Sequence, residues 1–93
     1  MKILNFQDFR IPTGINRSEW RTGDAREAMA DLLYKNVNGI AAHRLAFKIY
    51  ESDGNVEYTD EEASLIIRVA EAFATPAFID GLNEQINNQT KTD

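Results

Sequence analysis

The sequence contains no cysteine and a single histidine, His43. The lack of thiols excludes disulfide bonds, zinc–thiolate sites and cysteine nucleophiles. A serine nucleophile or a histidine-based metal site would depend on His43, and none of the serines follows a recognisable nucleophile turn. The five glycines are isolated from one another, so that a phosphate-binding glycine loop is missing as well. We therefore predict no catalytic residues, no metal ion and no cofactor.

Basic residues are also scarce. Ten Lys and Arg residues stand against fifteen Asp and Glu residues, which gives a net charge of −5. Arg17, Arg21 and Arg26 form a loose basic cluster, but acidic residues interrupt it. Because phosphate binding needs a concentrated basic surface, we expect no nucleic-acid partner.

Long apolar runs are missing too. No run approaches the roughly 18 residues that a membrane-spanning helix requires. The apolar start of the chain is broken after four residues, too early for a signal peptide. Together with the lack of cysteine, which is typical of a reducing compartment, this predicts a cytoplasmic protein without membrane contact.

The chain has enough apolar material for one core. It has 93 residues, of which 43% are hydrophobic, and this length supports one small domain. We predict a domain over residues 1–88 and a disordered C-terminal tail over 89–93, where polar residues have nothing to bury. The predicted fold class is mainly α, with about four short helices, a short extended N-terminal arm and a minimal two-stranded β element.

The helices are predicted from apolar residues at helical spacing. They cover residues 24–36, 39–51, 60–73 and 76–87. Their starts are indicated by capping residues, which are Asp24 with Glu27, Asn38, Thr59 with Glu62, and Thr75 before Pro76. The predicted buried face of the second helix consists of Ala41, Ala42, Leu45, Ala46, Ile49 and Tyr50. Gly81 weakens the fourth helix and indicates a close crossing.

The segments outside the helices are predicted to be mostly irregular. Residues 2–11 form the extended arm, because Pro12 disfavours helix in the residue before it. Residues 12–23 form a polar loop, from which Trp20 folds back onto the domain to bury its apolar area. Residues 56–58 alternate apolar and polar side chains, and we expect them to pair with the arm as a two-stranded ribbon.

The stretch ESDGNVEYTDEE, residues 51–62, partly matches a calcium-binding loop. Asp53, Asn55 and Glu62 occupy ligand places of the EF-hand pattern. The pattern needs glycine at its sixth place, where this sequence has Val56, a residue poorly suited to positive φ. A turn, a short extended piece and a helix cap that uses Glu62 explain the same residues, and we predict no calcium site.

The first functional hypothesis is a non-enzymatic protein-interaction module. The helix over 60–73 carries more apolar residues than one stripe needs, which indicates an interface. We expect self-association as a symmetric homodimer, or another protein partner, through the third or fourth helix. The predicted interface residues are Leu65, Val69, Phe73, Phe78 and Leu82. The alternative is that the N-terminal arm covers this second face within one chain.

The second hypothesis is a protein that binds a small molecule or an ion. Arg17 and Arg21 flank Trp20 in the sequence. Guanidinium groups bind anions, and an indole ring offers a stacking surface. These three residues would then form the ligand-binding site.

Three segments carry a resemblance to a known group of proteins. They are AHRLAFKIY, VEYTDEEASLIIRVAEAF and TPAFIDGLNEQI, within residues 25 to 87. In this order they resemble small uncharacterised proteins encoded by tailed bacteriophages and prophages, although Tyr58 replaces an aliphatic residue of that pattern. The resemblance implies an accessory protein in a phage or prophage, in the cytoplasm of a bacterial host, and carries over no catalytic residue.

Overall fold

The structure, a computed structural model, describes residues 1–90, with side chains described through residue 87. Four helices and four short strands follow one another along the chain. In order they are β1 (Lys2–Leu4), β2 (Phe9–Pro12), β3 (Trp20–Gly23), α1 (Arg26–Asn36), α2 (Ile40–Tyr50), β4 (Val56–Tyr58), α3 (Asp60–Phe73) and α4 (Pro76–Thr90). The predicted mainly helical class is confirmed, and two small antiparallel sheets complete it.

The second half of the chain folds close to the prediction. The Thr59 side chain accepts a hydrogen bond from the backbone N–H of Glu62 at 3.1 Å, and the Glu62 carboxylate accepts one from the N–H of Thr59 at 2.8 Å. This capping box fixes the start of α3. Thr75 accepts a longer bond, 3.3 Å, from the N–H of Phe78 at the start of α4. The fourth helix continues to Thr90 and so includes residues 89 and 90 of the expected tail; residues 91–93 lie outside the described part.

The predicted caps of the first two helices are wrong. Helix α1 begins at Arg26, and Asp24 does not cap it but accepts hydrogen bonds from the backbone N–H and the guanidinium of Arg26. The residue at the cap position is Ala25, whose side chain has no acceptor. Helix α2 begins after Gly39, whose φ of 111° sets the turn, and Asn38 makes no capping bond.

The predicted ribbon between the arm and residues 56–58 is confirmed. Strand β1 pairs antiparallel with β4, with Lys2 opposite Tyr58 and Leu4 opposite Val56. This pairing holds the start of the chain beside the strand that precedes α3. Leu4 and Tyr58, one from each strand, are buried in the core.

A second ribbon replaces part of the expected loop. Strand β2 pairs antiparallel with β3, with Phe9 opposite Gly23 and Pro12 opposite Trp20. Residues 20–23 were expected to belong to the polar loop over 12–23, but Arg21, Thr22 and Gly23 lie in β3. All three are exposed, so that pairing with β2, and not burial, holds them in a strand.

The aromatic residues of the arm form one side of the core. The ring centroids of Phe6 and Phe9 are 5.6 Å apart, and those of Phe6 and Tyr58 are 6.0 Å apart. Phe9 also stacks on Phe78 of α4, with 4.7 Å between centroids. The arm thus covers α4 with apolar side chains of the same chain.

Candidate protein-interaction face

The predicted interface residues of α3 and α4 do not form an exposed face. Val69 and Leu82 are buried, and Leu65 and Phe78 are partly buried and pack against the core. Phe73 remains exposed to 53%. The alternative stated above, in which the N-terminal arm covers this face, agrees with the placement of Leu4, Phe6 and Phe9 in the core.

The structure brings two of the three predicted ligand-binding residues, Arg17 and Trp20, into contact and separates Arg21 from them. Trp20 and Arg21 follow each other in β3, so their side chains point to opposite faces of the strand. Arg17 is held by two hydrogen bonds to the Asp80 carboxylate, at 3.0 and 3.2 Å. Trp20 is partly buried, donates its indole N–H to the Arg17 carbonyl and lies under the Arg10 guanidinium.

The residues of the calcium-like window are engaged in local structure. One Glu62 carboxylate oxygen accepts hydrogen bonds from the Thr59 N–H at 2.8 Å and from Lys48 Nζ at 2.9 Å. Gly54 has a φ of 66°, which places the turn there, and its N–H donates to Gln7. Within residues 1–90 no three His, Cys, Asp or Glu side chains lie together as a metal site.

An exposed aromatic cluster lies on α1 and α2. Tyr34 of α1 is 59% exposed, and Phe47 and Tyr50 of α2 are 43% and 55% exposed. The Phe47 ring contacts His43, with centroids 5.0 Å apart, and meets Tyr34 edge-on at 6.1 Å. Ile40 extends the same side of α2 at its first turn. We call these five residues the aromatic face.

The packing of α1 on α2 positions this face. Met29 and Leu33 of α1 and Leu45 and Ile49 of α2 are fully or almost fully buried in the common core. At the end of the helix pair, the Arg26 guanidinium donates to the Ser52 carbonyl at 2.8 Å. The start of α1 therefore lies beside the end of α2, and the two helices are antiparallel.

A groove runs between the exposed edges of the two helices. It encloses about 260 Å³ and is lined by Glu27, Asp31, Tyr34, Ala46, Phe47 and Tyr50. A neighbouring cavity of about 450 Å³ shares Glu27 and Tyr50 with it and is also lined by Asp24 and Arg26. We call the two together the α1–α2 groove, in which carboxylates and aromatic side chains line the same cavities.

Some of the charged side chains that line the groove already have partners. Arg26 donates to the Asp24 carboxylate, and these hydrogen bonds lower the pKa of Asp24 and raise that of Arg26. Asp31 lies 3.7 Å from Lys35 Nζ, one helical turn along α1. Glu27 makes no ion pair with any residue that the structure describes.

The sequence contained a signal for this face that the prediction did not use. Ile40, His43, Phe47 and Tyr50 are spaced by three, four and three residues, which places them along one side of a helix. Tyr50 was predicted to be buried with the core stripe of α2 but is exposed, whereas Ala42, Leu45, Ala46 and Ile49 are buried as predicted. Ala41, predicted on the same stripe, is exposed.

In the described part of the chain no helix has the length and apolar character needed to cross a membrane. No protein-family model, no curated protein and no solved structure matches the chain.

Proposed function

We propose that the protein is a non-enzymatic interaction module that binds another polypeptide through the aromatic face. The observation that supports this proposal is the exposure of Tyr34, Phe47 and Tyr50 around one groove. Large apolar side chains that lie together on a surface are typical of interaction sites. Single exposed apolar residues elsewhere on the surface carry no such meaning.

The arrangement suits a binding site because its anchors are already ordered. Tyrosine and other aromatic residues are enriched among the few residues that dominate binding energy. Here the rings of Tyr34, His43 and Phe47 contact one another on two helices that share a packed core. Side chains that are ordered before binding lose less conformational entropy when a partner arrives.

An accessory role in a phage or prophage is part of the proposal and rests on the sequence resemblance alone. The interaction hypothesis itself is kept, but its surface moves from α3 and α4 to α1 and α2. Val69 and Leu82 are covered by the chain's own core, so they have little apolar area left to offer a partner.

Selection from a random peptide library tests the proposed surface. We expect peptides selected on the wild-type protein to lose binding on a variant with both Phe47→Ala and Tyr50→Ala. Phe73→Ala is the matched control, because Phe73 is exposed to a similar extent but does not line the groove. Folding of each variant is checked by its urea midpoint.

Two outcomes contradict the proposal. One is a failure of the library to yield any peptide that binds the folded wild-type protein. The other is equal binding of the selected peptides to the wild type and to the double variant, since the aromatic face would then contribute nothing.

A further inference from the structure

We infer that the segment bound by the aromatic face is a basic amphipathic helix, one Arg or Lys of which enters the α1–α2 groove beside Glu27. This inference rests on the proposed function and names the chemistry of the partner. It is carried by the charge of the groove and by the position of the aromatic rings along it.

The groove carries an excess of negative charge. Three carboxylates, those of Asp24, Glu27 and Asp31, line its two cavities, against the one guanidinium of Arg26. Arg26 is committed to Asp24 and to the Ser52 carbonyl. Among the residues that the structure describes, no cation is therefore paired with the Glu27 carboxylate in the groove.

The same carboxylate lies next to aromatic side chains. Glu27 and Tyr50 line both cavities, and Phe47 and Tyr34 line the narrower one. An Arg or Lys side chain has an apolar stem that packs on rings and a charged end that binds a carboxylate. Guanidinium and ammonium groups are also attracted to the faces of aromatic rings.

The chain uses this combination elsewhere. The Lys48 ammonium lies 4.7 Å from the centroid of the Tyr58 ring and 2.9 Å from the Glu62 carboxylate. The Arg10 guanidinium lies 4.9 Å from the Trp20 ring and 2.9 Å from the Glu84 carboxylate. Tyr50 and Glu27 line the same cavities, and a cation from another molecule that enters the groove finds a tyrosine ring and a carboxylate there too.

The shape of the face favours a helix as the bound segment. A depression between two antiparallel helices accepts the apolar stripe of a third helix. Ile40, His43, Phe47 and Tyr50 extend along the whole length of α2, so that a partner helix can contact several turns. A basic flank on that helix then lies over the carboxylates of α1.

Charge complementarity also selects a basic partner over a second copy of the chain. The protein has a net charge of −5, and a second copy would bring the same acidic groove to the contact. Arg44, an exposed basic residue of α2, does not line either cavity. Long-range attraction therefore favours basic segments and opposes pairing of two copies.

Three designed peptides test the inference on the full chain. They share one amphipathic helical design with a Leu and Trp face, and the flanking positions are all Arg, all Gln or all Glu. Binding is measured by fluorescence anisotropy at two salt concentrations. At about 0.02 M salt exposed charges are screened weakly, and at about 0.5 M salt they are screened strongly. We expect the Arg peptide to bind about tenfold more tightly than the Gln peptide at low salt, with the Glu peptide weakest.

A pair of charge variants locates the effect. Glu27→Gln should weaken binding of the Arg peptide about fivefold, the size of one partly exposed ion pair, and leave the Gln peptide unchanged. Glu71→Gln changes the net charge by the same amount at an exposed site on α3 and should have no effect. An equal loss in the two variants would overturn the role of Glu27.

The remaining outcomes separate the inference from the proposed function. If all three peptides bind the wild type equally and none binds Phe47→Ala, the partner need not be basic and the inference is overturned. The same result supports binding through the aromatic face. If no peptide binds, the inference of a basic helix is overturned. The library selection still tests the aromatic face independently of these peptides. A dimer that light scattering detects at micromolar concentration, and that Phe47→Glu disperses, would assign the face to a second copy and overturn the inference.

Discussion

Gly81 of α4 lies directly against the backbone carbonyl oxygen of Arg10 in β2, with no space for a Cβ atom between them. The side chains of Phe9 and Ile11 close the same position, at 3.0 and 3.1 Å from where a Cβ would be. The close crossing expected at Gly81 is therefore present, and the crossing element is a strand. This contact seats the β2–β3 ribbon on the fourth helix.

We predict that Gly81→Ala destabilises the protein. Alanine gains roughly 1 kcal/mol in helix propensity over glycine, but the added methyl group must push backbone away, which typically costs about 1–3 kcal/mol in a packed interior. A lower urea midpoint than that of the wild type is the expected result. Gly23→Ala is the control, because no atom lies within 4 Å of a Cβ there. A stabilised Gly81→Ala protein would show that α4 and β2 lie further apart.

The capping box of α3 gives a second prediction. Thr59→Ala removes the acceptor for the Glu62 N–H and should lower the free energy of unfolding by about 1 kcal/mol. Thr75→Ala removes a longer bond, 3.3 Å, at the start of α4 and should cost less. Urea melts of the two variants and the wild type compare them directly. An unchanged midpoint for Thr59→Ala would mean that the cap does not hold the helix start.

The third prediction concerns the stability of the protein at low pH. Burial opposes ionisation of Glu62, but hydrogen bonds from Lys48 and the Thr59 backbone outweigh it and lower its pKa. A lowered pKa contributes stability that is complete above the ordinary pKa of glutamate and is lost as the pH falls through the lowered value. The free energy of unfolding, measured by urea melts, should therefore fall more between pH 7 and pH 3 in the wild type than in Glu62→Gln.

The neighbouring Glu61→Gln is the control for this acid dependence. Glu61 is exposed on the same turn of α3 and makes no ion pair among the described residues. Its variant should keep the acid sensitivity of the wild type. Equal sensitivity of all three proteins would contradict a stabilising role for the Lys48–Glu62 pair.

The parts of the fold that were predictable are those specified by neighbouring residues. Thr59 and Glu62 are three residues apart, and their mutual bonds need only the first turn of α3. Asp24 and Glu27 have the same spacing, yet Arg26 competes for the Asp24 carboxylate. A spacing rule does not weigh such a competitor, so the predicted cap of α1 failed.

The aromatic face could not be predicted from neighbouring residues either. Helix α2 has apolar residues on nearly all sides, and the position of α1 against it decides which of them are covered. The exposure of Tyr50 and the burial of Val69 therefore depend on contacts between distant parts of the chain. The strand over residues 20–23 depends in the same way on its pairing with β2.

Tyr58 gives the last prediction. Its side chain is fully buried, and its hydroxyl has no hydrogen-bond partner among the described residues. Burial raises the pKa of Tyr58 from 10.0 to about 12. The Ser52 hydroxyl is near enough to counter part of this shift, but it donates its own hydrogen bond to the Ile49 carbonyl at 2.6 Å and makes none with Tyr58 that meets the distance and angle expected of a hydrogen bond. A raised pKa contributes stability that is complete below pH 10 and is lost as the pH rises towards 12.

We therefore expect Tyr58→Phe to be at least as stable as the wild type at pH 7, by up to about 1 kcal/mol, because it removes a buried polar group that lacks a partner. The variant should also lose less stability than the wild type between pH 9 and pH 11. Tyr34→Phe, a change at an exposed ring, should leave the alkaline loss unchanged. Urea melts at the three pH values measure both effects. A clear loss of stability in Tyr58→Phe at pH 7 would show that the hydroxyl is hydrogen-bonded in solution, since only a satisfied group stabilises the core when it is present.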